Sequence, residues 1–270
     1  MNANNRAQLH KYEPPNWASS LNSIPKYFVK VRKLEFVLAD ALDKKCDTVI
    51  TCGGLPSNHC RTTAVAAKQL GLNCYLLLRS SDQKTVNVGC KGNLLLSRMA
   101  GSNIILVPEL KYKSGLKPMM EKVAEKLRQQ GSAPYLVEVG GSSYTGLFGY
   151  LTAFQEMMDQ NLLEDFDDIV LTVGSGGTAA GIAIANYLTG SKLKYSKIFL
   201  VEYVLEISSS TGVFIDPVYN IKAVRGMLAE MSNNPKRFQG NRILYIHTGG
   251  CFGLFDGRID PLLTSSRSTQ

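Results

Sequence analysis

No run of apolar residues in this sequence approaches the length of a membrane-spanning helix, which argues against an integral membrane protein. Met1–Asn22 is polar, carries Pro14 and Pro15 and lacks the apolar core of a secretory signal, so the expected location is the cytosol, with a mitochondrial one also compatible. The six cysteines, at positions 46, 52, 60, 74, 90 and 251, form no C-x-x-C pair and no zinc spacing. No metal site is therefore expected, and the thiols read as reduced core residues. Cys60, near Ser57, could instead be a reactive thiol, although a buried inert cysteine is the commoner case. The formal charge is +8, but the basic residues are scattered and are not interleaved with aromatics along one stripe. Neither nucleic acid nor a membrane is an expected partner, and an anionic small substrate needs only a few of these cations.

At 270 residues, 44% of them hydrophobic and 19% charged, the chain can bury a core for one large domain or two smaller ones. Residues 1–30 carry Pro14, Pro15, Trp17 and Pro25 without periodicity and read as an arm. From Val31 to Lys44 the apolar residues Val31, Leu34, Val37, Leu38, Ala41 and Leu42 keep a helical period. Strands are predicted at Asp47–Gly54, Asn73–Arg79, Asn103–Pro108, Tyr135–Val139, Asp168–Val173, Lys197–Glu202 and Arg242–His247, with helices between most of them. Residues 206–212 resist assignment, and the Ser/Thr-rich tail from Pro261 is expected to fray. Such alternation predicts an α/β fold with parallel sheets covered on both faces. Glycine-rich junctions at Gly53, Gly140, Gly174 and Gly249 follow strands, and in such folds ligands bind beyond the carboxyl ends of the strands.

The most informative junction is LTVGSGGTAAGIA, Leu171–Ala183, a strand end, a glycine-rich turn and the start of an apolar helix. That arrangement aims unpaired backbone N–H groups at an anion. Gly174, Gly176 and Gly177 let the backbone close on a phosphate, and Ser175 and Thr178 add hydroxyl donors. The bland alternative is an ordinary strand-to-helix turn. The same run also satisfies G-x-G-x-x-A at Gly174, Gly176 and Ala179, with Glu202 placed as a ribose-binding acid, so a nucleotide-cofactor oxidoreductase is a competing expectation.

A nicotinamide enzyme would leave the other glycine-rich, hydroxyl-bearing loops unused, whereas pyridoxal 5′-phosphate (PLP) would use them all: a cradle for its phosphate, a stacking partner for its ring and a lysine for its aldehyde. KVRKLEF (Lys30–Phe36), GGLPSNHCR (Gly53–Arg61), GNLLLSRMAG (Gly92–Gly101), VGGSSYTGLFGY (Val139–Tyr150), TVGSGGTAAG (Thr172–Gly181), DPVYNIK (Asp216–Lys222) and HTGGCFGLFDGR (His247–Arg258) stand in one order along the chain. On these motifs the sequence resembles the D-cysteine desulfhydrase and 1-aminocyclopropane-1-carboxylate deaminase group of PLP enzymes, and most of all its D-cysteine desulfhydrase-like branch. The resemblance implies the two-domain tryptophan synthase β-like fold (fold type II), with a smaller domain at 31–142 and a larger cofactor-binding domain formed by 1–30 and 143–270. It also implies a homodimer and a small amino acid as substrate. D-cysteine would be converted to pyruvate, sulfide and ammonia.

Carried over residue by residue, the resemblance makes Lys30 the Schiff-base lysine and, once freed, the base. Asn58 falls near the cofactor's 3′ oxygen, Ser57 near the substrate, and Gly174, Ser175, Gly176, Gly177 and Thr178 on the phosphate. Tyr219 stacks on the ring and joins Lys30 and Ser57 as the catalytic set, and Thr248 lies beside the pyridine nitrogen. Each has a plainer reading: a solvated lysine, a helix cap, a core tyrosine, a strand-end hydroxyl. The chain also departs from the family pattern. Phe28 and Val29 stand where Gly-Asn is usual, Pro56 replaces glutamine, Ser143 an asparagine, and Asn220–Ile221 a pair ending in glycine. Two blocks, before Lys30 and after Glu202, are missing, the second with an active-site tyrosine. The expectation is an intact cofactor cradle with an impaired substrate side, so a PLP-binding relative with little or no activity is a further alternative.

Overall fold

The computed structural model describes residues 29–82, 88–191, 193–197 and 204–265. The chain divides into two compact units, Met1–Gly149 and Tyr150–Gln270. In the first, α1 (Val29–Asp43), β1 (Thr48–Gly54), α2 (Asn58–Gln69), β2 (Asn73–Arg79), α3 (Gly92–Met99) and β3 (Asn103–Val107) follow in turn. A π-helical turn at Tyr112–Leu116 then leads into α4 (Lys117–Gln129), β4 (Pro134–Leu136) and the first turns of α5 (Tyr144–Met158).

The four strands form one parallel sheet in the order β3-β2-β1-β4. Alternate side chains of a strand face opposite sides. Val49, Leu76 and Leu78 therefore join Leu34, Val37, Leu38 and Ala41 of α1 and Cys60, Ala64 and Ala67 of α2 in one buried cluster. Ile50, Cys52 and Leu77 point the other way, onto Leu116, Met120, Ala124 and Leu127. The predicted stripe of α1 is thus its buried face, and each fully buried leucine in it contributes about 2 kcal/mol. The expected reduced thiols are buried at Cys52, Cys60 and Cys74, and burial pushes Cys52 and Cys74 up to about 12, which makes them inert. Cys90 and Cys251 are exposed, contrary to that expectation.

The second unit holds the rest of α5, a short α6 (Leu162–Asp165), β5 (Asp168–Leu171), α7 (Gly177–Leu188), β6 (Lys194–Lys197), α8 (Val204–Thr211), α9 (Asn220–Asn233), β7 (Ile243–Ile246) and α10 (Asp260–Ser265). Its parallel sheet has the order β6-β5-β7, with β5 buried along its whole length. Leu171 pairs with Ile246, so β5 and β7 end at one level and the loops that follow them leave the sheet side by side.

Three expectations need correcting here. The strand placed at Lys197–Glu202 begins earlier, since Lys194–Lys197 pairs with β5; residues 198–203, Glu202 among them, lie outside the described residues. Two lysines in four residues obscure the strand signal in the sequence. Residues 206–212, left unassigned, fall mostly within α8. The tail from Pro261 continues α10 to Ser265, with Pro261 in the first turn, where its missing N–H costs nothing. No described helix is long and apolar enough to cross a membrane.

Candidate functional site

In the first unit β1 ends at Gly54 and the chain turns sharply into α2, with Ser57 N–H donating to Gly54 O at 3.0 Å. A Cβ on Gly53 would sit 2.7 Å from Ser57 Oγ and 2.8 Å from Cys60 Sγ, so the turn closes only over glycine. Ser57 caps α2, its Oγ accepting from Cys60 N–H at 3.1 Å. Pro56 fits this turn, and its carbonyl accepts from Asn93 Nδ2 at 3.0 Å.

Asn93, buried in α3, orients the loop. Its Nδ2 faces the Pro56 carbonyl, which can only accept, and its Oδ1 faces Arg61 Nε at 3.1 Å, which can only donate, so the amide has one possible orientation. Asn58 Oδ1 then accepts from Asn93 Nδ2 at 3.0 Å, which directs the Asn58 amide nitrogen the other way as a donor. A donor is what an anionic ring oxygen requires. His59 is fixed by similar reasoning. Thr51 gives its one hydroxyl hydrogen to Val137 O at 2.9 Å, so it accepts from His59 Nε2–H at 2.8 Å.

Lys30 is the second residue of α1; its side chain, like residues 25–28, lies outside the described residues. One turn on, Lys33 is only 5% exposed, and burial lowers its pKa from 10.5 to about 8. The charged form is thus disfavoured in the folded chain, a penalty in full force below pH 8 and relieved as pH rises towards 10.5, where the unfolded chain still holds the proton. Lys33→Met is expected to lift this penalty, so that its stability gain relative to the parent chain is greatest near neutral pH. The gain should shrink to near zero by pH 10.5 in thermal melts run across that range.

In the second unit the Gly174–Thr178 loop links β5 to α7. Gly176 is the N-cap at φ 90°, ψ −20°, left-handed backbone suited to glycine. Its carbonyl accepts from Ala180 N–H at 2.9 Å, the first bond of the helix, so the preceding N–H groups project from the N-terminus. A Cβ on Gly174 would lie 3.5 Å from Tyr219 Cε1, which places the half-exposed Tyr219 ring beside the loop. Thr178 Oγ1 donates to the Tyr150 hydroxyl at 2.8 Å.

Tyr219 and Thr248 are held by two residues of the DPVYNIK run, Asp216 and Asn220. The Asp216 carboxylate accepts from the N–H groups of Val218, Tyr219 and Asn220 at 3.0, 2.7 and 2.9 Å and so caps α9. Asn220 Nδ2 donates to Asp216 Oδ2 and Gly249 O, both at 2.5 Å. Its Oδ1 accepts from Thr248 N–H at 3.1 Å, Thr248 Oγ1 at 3.2 Å and the Tyr245 hydroxyl at 2.8 Å. Burial pushes the Tyr245 hydroxyl well above the ordinary tyrosine range, so it stays protonated and donates.

The second unit therefore gathers Gly174–Thr178, Tyr219 and Thr248 around the ends of β5 and β7, and the first unit holds Ser57 and Asn58 on one fixed turn. Open N–H donors, hydroxyls and an accessible aromatic face suit a ligand with a phosphate and a flat ring. Asn93, His59, Asp216, Asn220 and Tyr150 are absent from the sequence reading of the site. All five lie inside the quoted motifs, Asn93 in GNLLLSRMAG, His59 in GGLPSNHCR, Tyr150 in VGGSSYTGLFGY and Asp216 and Asn220 in DPVYNIK, which mark the neighbourhood but not the contacts. Among the described residues no group of His, Cys, Asp and Glu could hold a metal.

Comparison with known proteins agrees with this chemistry. The family described as "Pyridoxal-phosphate dependent enzyme" matches residues 29–204. The chain is 35% identical to the mitochondrial bifunctional D-cysteine desulfhydrase/1-aminocyclopropane-1-carboxylate deaminase of Arabidopsis thaliana, over 93% of this chain and 84% of that one. That alignment runs to 340 positions, more than the chain's 270 residues, so the relative carries segments that this chain lacks. It is 36% identical to a putative 1-aminocyclopropane-1-carboxylate deaminase of Thermotoga maritima, over 84% of this chain and 85% of that one. The crystal structure of an ACC deaminase homologue superposes with a TM-score of 0.77 at 27% identity, covering 98% of this chain and 99% of that one. The architecture is the fold type II, tryptophan synthase β-like arrangement of parallel sheets flanked by helices, its cofactor is PLP, and the nucleotide reading of the glycine loop falls away. The chain belongs to the pyridoxal-phosphate dependent enzymes, in the group of the 1-aminocyclopropane-1-carboxylate deaminases and D-cysteine desulfhydrases.

Proposed function

We propose that this chain is a lyase that deaminates a small amino acid by β-elimination, D-cysteine foremost, to pyruvate, sulfide and ammonia. The observation that carries the reading is the second unit's constellation: the glycine loop, the Tyr219 ring beside Gly174 and the Thr248 hydroxyl clamped by Asn220. When bound, PLP supplies an electron sink for the α-carbon. Gly174–Thr178 would hold its phosphate, Tyr219 would cover its ring, and Thr248 and Asn58 would serve its pyridine nitrogen and ring oxygen. Lys30 would hold it through Nζ and, once displaced by the substrate amine, would take the α-proton at that atom, while Ser57 would face the substrate. The domain assignment, 31–142 for the substrate-side loop and 1–30 with 143–270 for the cofactor, belongs to the same proposal.

The test is spectroscopic. PLP-loaded protein should show a visible band that shifts on borohydride reduction, and peptide mapping should find the pyridoxyl group on Lys30. Lys33 is the rival, because a buried lysine titrating near 8 is a better nucleophile at neutral pH than a solvated one. Label on Lys33 alone would overturn the assignment.

A second reading, PLP binding with little turnover, is favoured by the segments present in the Arabidopsis relative and absent here. The two separate on pyruvate release from D-cysteine, assayed beside that relative. A rate at least a hundredfold lower is expected if the absent segments displace a reacting group by about an ångström. Comparable rates would dismiss the second reading.

A further inference from the structure

Tyr150 opens the second unit from within α5 and is only 1% exposed. One turn into α7, a Cβ on Gly181 would collide with Tyr150 Cβ, so the two helices approach this closely because residue 181 is glycine. The approach brings the Tyr150 hydroxyl to 2.8 Å from Oγ1 of Thr178, the second residue of α7. We propose that Tyr150 is a positioning residue for phosphate recognition, acting through Thr178 to set where that hydroxyl points its hydrogen. The proposal rests on the reading that Gly174–Thr178 holds the cofactor's phosphate.

Each hydroxyl has one hydrogen and two lone pairs. As the structure stands, Thr178 donates to Tyr150 and turns a lone pair outward. A phosphate dianion only accepts, so Thr178 can recognise it only by swinging its hydrogen to the anion. The Thr178 oxygen, still facing Tyr150, then accepts the tyrosine's O–H. The hydrogen bond between the two hydroxyls is kept, with its direction reversed. Tyr150 contributes twice in the reversed state. It keeps Thr178 in the rotamer that faces the loop, and by donating to Oγ1 it strengthens Thr178 as a donor. Phenylalanine at 150 would preserve the ring packed against Gly181 and remove only the hydroxyl.

The experiment compares dissociation constants of PLP with those of pyridoxal, which lacks the phosphate, for the full chain, Tyr150→Phe, Thr178→Val and the double variant. Tyr150→Phe is expected to weaken PLP about five-fold and to leave pyridoxal unchanged, and Thr178→Val to weaken PLP about ten-fold with the same selectivity. On the Thr178→Val background, Tyr150→Phe should cost nothing more, since the partner through which it acts is gone. Equal weakening of both ligands would mean that Tyr150 only packs, and would overturn the proposal. So would unchanged PLP affinity, or an undiminished loss in the double variant. If Tyr150→Phe fails to fold, Thr178→Val decides: a phosphate-selective loss supports the relay and an unchanged constant overturns it. Intact PLP binding in Gly176→Asp would show that the phosphate lies elsewhere, a failure of the underlying reading that is distinguishable from failure at Tyr150.

Discussion

Replacing Gly176 by aspartate is expected to abolish retention of PLP, and replacing it by alanine to weaken the cofactor only about ten-fold. Gly176 stands at φ 90° with no atom within 4 Å of where a Cβ would be, so the obstacle to a side chain is conformational rather than steric. Holding an L-residue in that backbone costs about 1–2 kcal/mol, which the alanine variant measures alone. Aspartate adds a full negative charge at the N-terminus of α7, where the helix otherwise offers N–H groups and the positive end of its dipole. Against a phosphate dianion a few ångströms away, at an effective dielectric near 20, the repulsion amounts to several kcal/mol. The two variants should therefore differ by at least a hundredfold in the PLP dissociation constant, read by equilibrium dialysis and the visible band. Equal losses in both would show that the loop does not face the phosphate, since only charge separates them.

What could be read from the sequence divides along physical lines. β2 is legible to the residue, Asn73–Arg79, because glycine and a polar residue bracket a continuous apolar run that a buried parallel strand requires. The glycine loop was equally plain, since phosphate binding and tight turns both draw on the same residue types in a short span. The pieces that hold the site were not. Asn93 reaches Arg61 across 32 residues, and Asn220 reaches Thr172 across 48 and Thr248 across 28. A single asparagine has no periodicity, and its worth depends on which backbone groups the fold brings to its two ends. Lys30 differs again, for nothing in the sequence around it separates it from Lys33 as the attachment point; the resemblance alone singles it out. Pro56 and Asn220–Ile221 looked like damage, yet the Pro56 carbonyl is bonded, Ile221 joins the core of Ile215 and Val224, and Asn220 is completely buried with every polar group paired.

Asn220→Leu should accordingly be among the most destabilising single changes in the second unit, although leucine has the same branching and number of side-chain heavy atoms as asparagine. The amide fills a position between three obligate partners: the Gly249 carbonyl and Asp216 Oδ2 at 2.5 Å from Nδ2, and the Thr248 N–H at 3.1 Å from Oδ1. Leucine would leave the buried Thr248 N–H and the partly buried Gly249 carbonyl without partners, the first at about 1–3 kcal/mol, and would place apolar atoms against a carboxylate. Two bonding sets would survive. Asp216 would keep its three backbone donors and so the cap of α9, and the Tyr245 hydroxyl could still donate to the residue 220 carbonyl, now 3.2 Å away. The expected loss is thus about 3–5 kcal/mol, measured as a shift in the urea midpoint followed by circular dichroism. Asn220→Asp supplies the sharper contrast. Its carboxylate could still accept from Thr248 N–H, but its second oxygen would face the Asp216 carboxylate and the Gly249 carbonyl, three acceptors with no hydrogen among them. The new carboxyl should therefore be driven towards its protonated form, with a pKa raised above its unfolded value. Such a group destabilises the fold most at neutral pH and less as pH falls through its raised pKa, where one oxygen regains a hydrogen to donate. Relative to the parent chain, the Asn220→Asp deficit should shrink between pH 7 and pH 5, while the Asn220→Leu deficit stays constant. A loss below 1 kcal/mol in Asn220→Leu, or a pH-independent deficit in Asn220→Asp, would show that the amide does not bridge Asp216 to the Thr248 loop.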